Sequence, residues 1–277
     1  MKLSFSTRGW HDNSFEEFCD IAVDLGFEGI ELHNIHNRLF TEKDGAFHDY
    51  AAAATLRRLH EKELSIPCID AVCDTADAQK ADQAFEEIVK CAEIAKNLKI
   101  PNIRLKAIGD PANEQGFETT ARLIERVLPV AKQNGVTLLL ETSGVFGNTA
   151  ALRDMLNRFA DDNLAALWSL SAAYFSGGET PEQIITNLGA YVRLVHFSDA
   201  EMTDEGISHC LAGEGELPIK DIMLALRSVN YDGFISLVWD PTWCPELDDS
   251  EIIFSQFINF IKQFSDTSKN EKVLYYN

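Results

Sequence analysis

"KQNGVTLLLE", residues 132–141, holds the pattern on which the fold turns. A polar helix end breaks at Asn-Gly, a pair suited to a left-handed helix exit. An unbroken apolar run follows and stops on a carboxylate. Working outward, the same unit recurs in "DLGFEGIELH" (24–33), "KNLKIPNIRLK" (96–106) and "RSVNYDGFISLVWD" (227–240). Weaker copies are "EKELSIPCIDAV" (61–72), "DDNLAALWSL" (161–170) and "LGAYVRLVHFSD" (188–199), and the chain opens on the strand-like "MKLSFST". These runs are near-continuous in Ile, Leu, Val and Phe, the pattern of strands buried on both faces inside a ring of helices. About eight strands alternating with helices predict an α/β fold, a closed parallel (β/α)8 barrel.

The helices carry their own start signals. Ser14 and Glu17 form a capping box ahead of the apolar face Phe15, Phe18, Ile21, Ala22 and Leu25, with Gly26 at the exit. Thr180 precedes Pro181, which puts proline at the first helical position, and Pro218 is read the same way. A length of 277 residues, 45% hydrophobic, accommodates one barrel. No low-complexity linker divides the chain, so residues 1–264 read as one domain, and "SDTSKNEK" (265–272) as the start of a solvated C-terminal tail, 265–277.

Composition excludes several classes of function. With 44 acidic against 24 basic residues the net charge is −20, which repels a phosphate backbone and argues against nucleic acid. The first residues lack a signal peptide's apolar run, and no stretch approaches a membrane span. Six cysteines stand in apolar contexts without a CxxC pair, so reduced thiols and a cytoplasmic location are expected.

In such barrels the chemistry comes from the C-terminal ends of the strands. Here these are Ser6 to Arg8, His33, Asp70, Arg104 with Lys106, Glu141, Ser169, His196 with Asp199, and Val238 to Asp240. The runs "LLLET", "FSGGETP", "LVHFSDA", "GEGELPIKDIMLAL" and "YDGFISLVWDP" with Trp243 together resemble the sugar isomerase/epimerase family of xylose-isomerase-like TIM barrels, from the first strand to about Phe260. The resemblance implies a sugar or polyol ligand and one divalent ion held by Glu, Asp, His and Glu from the last four strands. Glu141 and His196 match two of these ligands, and the resemblance also makes Glu141 the catalytic carboxylate. Ser169 stands at the Asp, Ala172 at a following His, and Val238 at the last Glu. A catalytic divalent ion generally needs about three protein ligands plus an open position. The resemblance therefore implies a degraded metal site with weak or no isomerase activity and no bound cofactor, in a binding or partner subunit. The alternative is an active isomerase, epimerase or lyase whose Mn, Mg, Co or Zn site is rebuilt with Asp199 or Asp240.

The substrate-binding candidates are Trp10, His33, Arg104, Lys106, Glu141, His196, Asp199 and Trp239, with Trp10 and Trp239 as sugar-stacking aromatics. Plainer readings stay open beside these. Glu141 can pair with Arg104 or Lys106, His196 can be a hydrogen-bonded core histidine, and His33 with His36 can be pocket polar contacts or a metal pair. "GEGE" (213–216) reads as a lid or turn, and the acids of "ELDDSE" (246–251) as negative charge at a helix start. The family often forms dimers around the barrel mouth, so a homodimer is a further expectation.

Overall fold

The computed structural model describes the chain except for residues 11, 49, 112, 246, 248 and 275–277, with side chains described to residue 264. Glu246 and Asp248 of the expected acidic helix start, and the last three residues of the expected tail, lie outside the described residues. Eight parallel strands close into a barrel: β1 (Lys2–Ser6), β2 (Gly29–His33), β3 (Ile69–Asp74), β4 (Asn102–Lys106), β5 (Thr137–Glu141), β6 (Leu164–Ser169), β7 (Val192–Phe197) and β10 (Phe234–Leu237). Neighbours run in chain order, and β10 pairs with both β7 and β1 to close the ring. A short antiparallel hairpin, β8 (Asp199–Thr203) and β9 (Gly206–Cys210), rises between β7 and β10.

Helices α1 (Phe15–Leu25), α2 (Arg38–Thr41), α3 (Ala52–Glu61), α4 (Ala81–Leu98), α5 (Glu114–Asn134), α6 (Thr149–Phe159), α7 (Pro181–Leu188) and α8 (Ile219–Ser228) join the strands, and α9 spans Ser250–Leu274. Local chemistry sets their starts. Ser14 accepts from the Glu17 amide at 3.2 Å while Glu17 accepts from the Ser14 amide at 2.6 Å, and Gly26 leaves α1 in the left-handed region. Pro181 opens α7 behind a second capping box, Thr180 with Gln183, whereas Pro218 stands one place earlier, at the cap of α8.

Strand parity divides the core in two. Side chains facing outward pack on the helices: Phe5 stacks on Phe254 at 4.3 Å and meets Phe27 edge-on, and Phe197 packs on Phe257. Those facing inward fill the barrel in layers. The lower layer is apolar, built from Cys68, Leu139, Ala165, Leu167 and Leu194 with Phe234 against them. One step toward the strand C-termini, the same parity brings Glu31, Asp70, Arg104, Glu141, Ser169 and His196 inward, and all six are buried. The hydrophobic packing that closes the barrel thus forces a charged layer into its upper half.

Candidate functional site at the barrel mouth

Burial of ionisable groups at this depth is costly unless they are paired, and the pairing is extensive. Arg104 from β4 sits between two acids. Its Nη1 donates to Asp70 Oδ2 at 2.6 Å, and its Nε donates to Glu141 Oε2 in a short bond. Asp70 Oδ2 also accepts from His33 Nδ1 at 2.6 Å, which assigns the proton on that nitrogen because a carboxylate only accepts. Burial by itself pushes the Asp70 pKa up. The Arg104 charge, the His33 bond and the more distant His196 outweigh it and hold the group at about 2. Glu141 follows the same balance: burial raises it, while Arg104, His196 and Lys106 bring it down to about 2. The two acids in turn push Arg104 above its ordinary value against the effect of its burial.

A second pair crosses the barrel. His196 Nε2 on β7 donates to both carboxylate oxygens of Glu31 on β2, each at 3.0 Å. Glu31 is absent from the sequence-derived candidates, although "GIELH" carries a signal for it: a lone carboxylate between Ile30 and Leu32 shares strand parity with His33.

The other expected site residues divide by location. His33 and Lys106 reach the mouth, where with Arg8, Asp70, Lys80 and Asp240 they line a cavity of about 450 Å³. A larger hollow, about 860 Å³ around Lys2, Glu28 and Lys62, opens at the opposite, N-terminal end of the strands, away from this chemistry. His36 does not join His33; its Nε2 bonds Glu87 at 2.7 Å. Asp199 is 2% exposed, and its carboxylate is filled by the amides of Ala200, Gly213 and Gly215 at 2.9, 2.8 and 3.2 Å. "GEGE" is accordingly a turn wrapped on Asp199. Gly213 has φ +92°, and a Cβ on Gly215 would lie 2.2 Å from Asp199 Oδ1. Asp240 accepts from the Thr242 amide and hydroxyl and from Arg8 Nε.

Trp10 and Trp239 correct the strand-end reading. Both belong to the outer core: Trp10 meets Phe254 edge-on at 5.6 Å, and Trp239, 2% exposed, packs on Trp243. Neither lines the mouth cavity. Trp239 is one residue past Val238, and parity turns it toward the helices.

Beyond β6 the backbone makes a π-helical turn, Ala172–Ser176, before Gly177 and Gly178 lead to α7. The Ser169 amide donates to Thr142 Oγ1 at 2.9 Å, and the Val238 amide donates to the Phe197 carbonyl. Among the described residues no three His, Cys, Asp or Glu side chains converge where they could hold a metal ion.

The comparisons with known proteins agree with this architecture. A profile for the xylose isomerase-like TIM barrel matches residues 19–259. The chain belongs to that family. Among solved structures, the probable 3-DHS dehydratase AsbF from Bacillus anthracis, involved in petrobactin synthesis, superposes with a TM-score of 0.78 at 20% identity, over 95% of this chain and 99% of its own. An L-ribulose 3-epimerase gives 0.78 at 15% identity, covering 100% and 98%. The IOLI protein, solved with a bound zinc atom, gives 0.77 at 15%, covering 96% of each chain. At these identities the likeness is one of fold. No curated protein matches the chain in sequence.

Proposed function

We propose that this xylose isomerase-like barrel binds a small sugar or polyol at its mouth and has lost most of the family's metal-dependent isomerase chemistry. One observation carries the reading. The two positions that match family metal ligands, Glu141 and His196, are bonded to Arg104 and Glu31, while Ser169 and Val238 stand at the other two. A guanidinium against Glu141 opposes a divalent cation at that carboxylate, and the Nε2–H of His196 points its proton, not its lone pair, at Glu31. Val238 supplies no donor, and Ser169 only a neutral hydroxyl. The residues therefore fit a divalent ion poorly.

Rebuilding the site with Asp199 or Asp240 would cost the hydrogen bonds that each already accepts. The cavity volume falls within the range of small-molecule sites. His33, with Nδ1 committed to Asp70, keeps Nε2 for a ligand hydroxyl. Six free cysteines suit a reducing compartment such as the cytoplasm.

Calorimetric titration of purified protein with ketoses, aldoses and polyols, with and without a chelator, tests the reading. The expected result is saturable binding unchanged by the chelator, with little turnover of any of these sugars. Turnover that disappears on chelation and returns with Mn²⁺ would refute it.

A further inference from the structure

Resting on the sugar-binding reading above, we infer that the mouth cavity selects polyols that carry an anionic group, a carboxylate or a phosphate, over neutral sugars. Four cations line the cavity, Arg8, Lys80, Arg104 and Lys106, in a chain whose net charge is −20. The acids that line it are already engaged. Asp70 is held by Arg104 and His33, and Asp240 by Arg8 at 3.3 Å. Asp74 Oδ1 accepts from the amides of Ala76 and Ile108, each at 2.9 Å.

Lys106 is the exception. It stands at the C-terminal end of β4, its carbonyl accepts from the Thr75 amide at 2.9 Å, and its side chain lines the cavity without a hydrogen bond or ion pair among the described residues. Its nearby carboxylate, Glu141, is bonded to Arg104. With acidic side chains nearly twice as numerous as basic ones, a half-buried lysine that faces a cavity, and that acts on Glu141 without forming an ion pair with it, stands out. An ammonium there offers up to three donors to an incoming anion. Desolvation makes such a charge-assisted bond stronger than the same pair in bulk water. Arg8 and Lys80 border the same cavity but are paired with Asp240 at 3.3 Å and Asp77 at 3.4 Å, so Lys106 is the cation that draws an anionic ligand in, while the polar groups of His33 and Asp70 meet its hydroxyls.

Titration calorimetry at low and moderate salt tests this with defined probes: D-gluconate, D-ribulose 5-phosphate, the neutral D-fructose and ribitol, and inorganic phosphate alone. The anionic polyols should bind at least about tenfold more tightly than the neutral ones, a margin that shrinks as salt is added. Lys106→Met should erase the margin and Lys106→Arg should keep it, with both variants melting close to the parent protein. Gluconate against ribulose 5-phosphate shows whether the site prefers carboxylate or phosphate. If neutral sugars bind as well as charged ones, the charge selection is overturned and the sugar-binding reading survives. If no polyol of either kind binds, both fail. Inorganic phosphate binding as tightly as the sugar phosphate, unchanged in Lys106→Met, would also overturn the inference.

Discussion

The two halves of the barrel mouth are built on opposite plans. On the side of β5, β6, β7 and β10, the strand ends offer Glu141, Ser169, His196 and Val238, two donors of charge or lone pairs and two residues without charge. On the side of β1 to β4 they offer Glu31, His33, Asp70, Arg104 and Lys106. The partners of the first side come from the second: Arg104 bonds Glu141, and Glu31 reaches across to His196. The difference teaches that the would-be ligands are answered from within the chain, Glu141 and His196 each by a group on the opposite half. The mouth cavity also opens on the charged half.

The sharpest way to break this arrangement is to remove the shared cation. Arg104→Met leaves Asp70 and Glu141 buried without their guanidinium, and stripping one partner from such a cluster costs about 3–5 kcal/mol. Urea unfolding at pH 7 should show that loss. A change under about 1 kcal/mol would mean that the two acids do not depend on Arg104.

Acid titration probes the same cluster in the intact protein. Asp70 and Glu141 ordinarily titrate at 3.8 and 4.5, and both are held at about 2 in the folded state. Because the folded values lie below the unfolded ones, the stability they confer is complete above about pH 5. It is lost as pH falls through 4 toward 2, at roughly 2–3 kcal/mol for each group and less than the sum for two groups sharing one arginine. Arg104→Met should flatten that part of the stability-versus-pH curve.

Outside the comparison, two smaller effects calibrate it. Asp199→Ala removes the acceptor of three backbone amides and should cost about 1–3 kcal/mol, with faster hydrogen exchange at Gly213 and Gly215. Unchanged exchange there would separate Asp199 from the hairpin's anchoring. Ser14→Ala, which opens the capping box of α1 far from the mouth, should cost about 1 kcal/mol and leave ligand binding untouched.

Much of the barrel was legible because its signals are local and repeated. A helix end, a Gly or Asn break and an apolar strand recur around the ring, and the caps at Ser14 and Thr180 are written in adjacent residues. The hairpin β8–β9 was not legible, since "DAEMTDEGISHC" is short, polar and weakly alternating. At the site, the pairing of Glu141 with Arg104 was visible as one option among several. Glu31 with His196 was not, because 165 residues separate the partners and only barrel closure brings β2 opposite β7. Trp10 and Trp239 stand near strand ends yet pack into the core rather than line the mouth cavity. Nearness to a strand end says nothing of facing, and a single step in parity sends Trp239 into the outer core with Trp243.

The account stands on internal neutralisation of the mouth. Its most direct test is elemental analysis of native protein purified without chelator and then equilibrated with Mn²⁺, Mg²⁺, Co²⁺ and Zn²⁺ in turn. The prediction is well under one equivalent of any metal retained after buffer exchange. One full equivalent, lost in both Glu141→Gln and His196→Ala, would show that a divalent ion displaces Arg104 and Glu31 and would contradict the account.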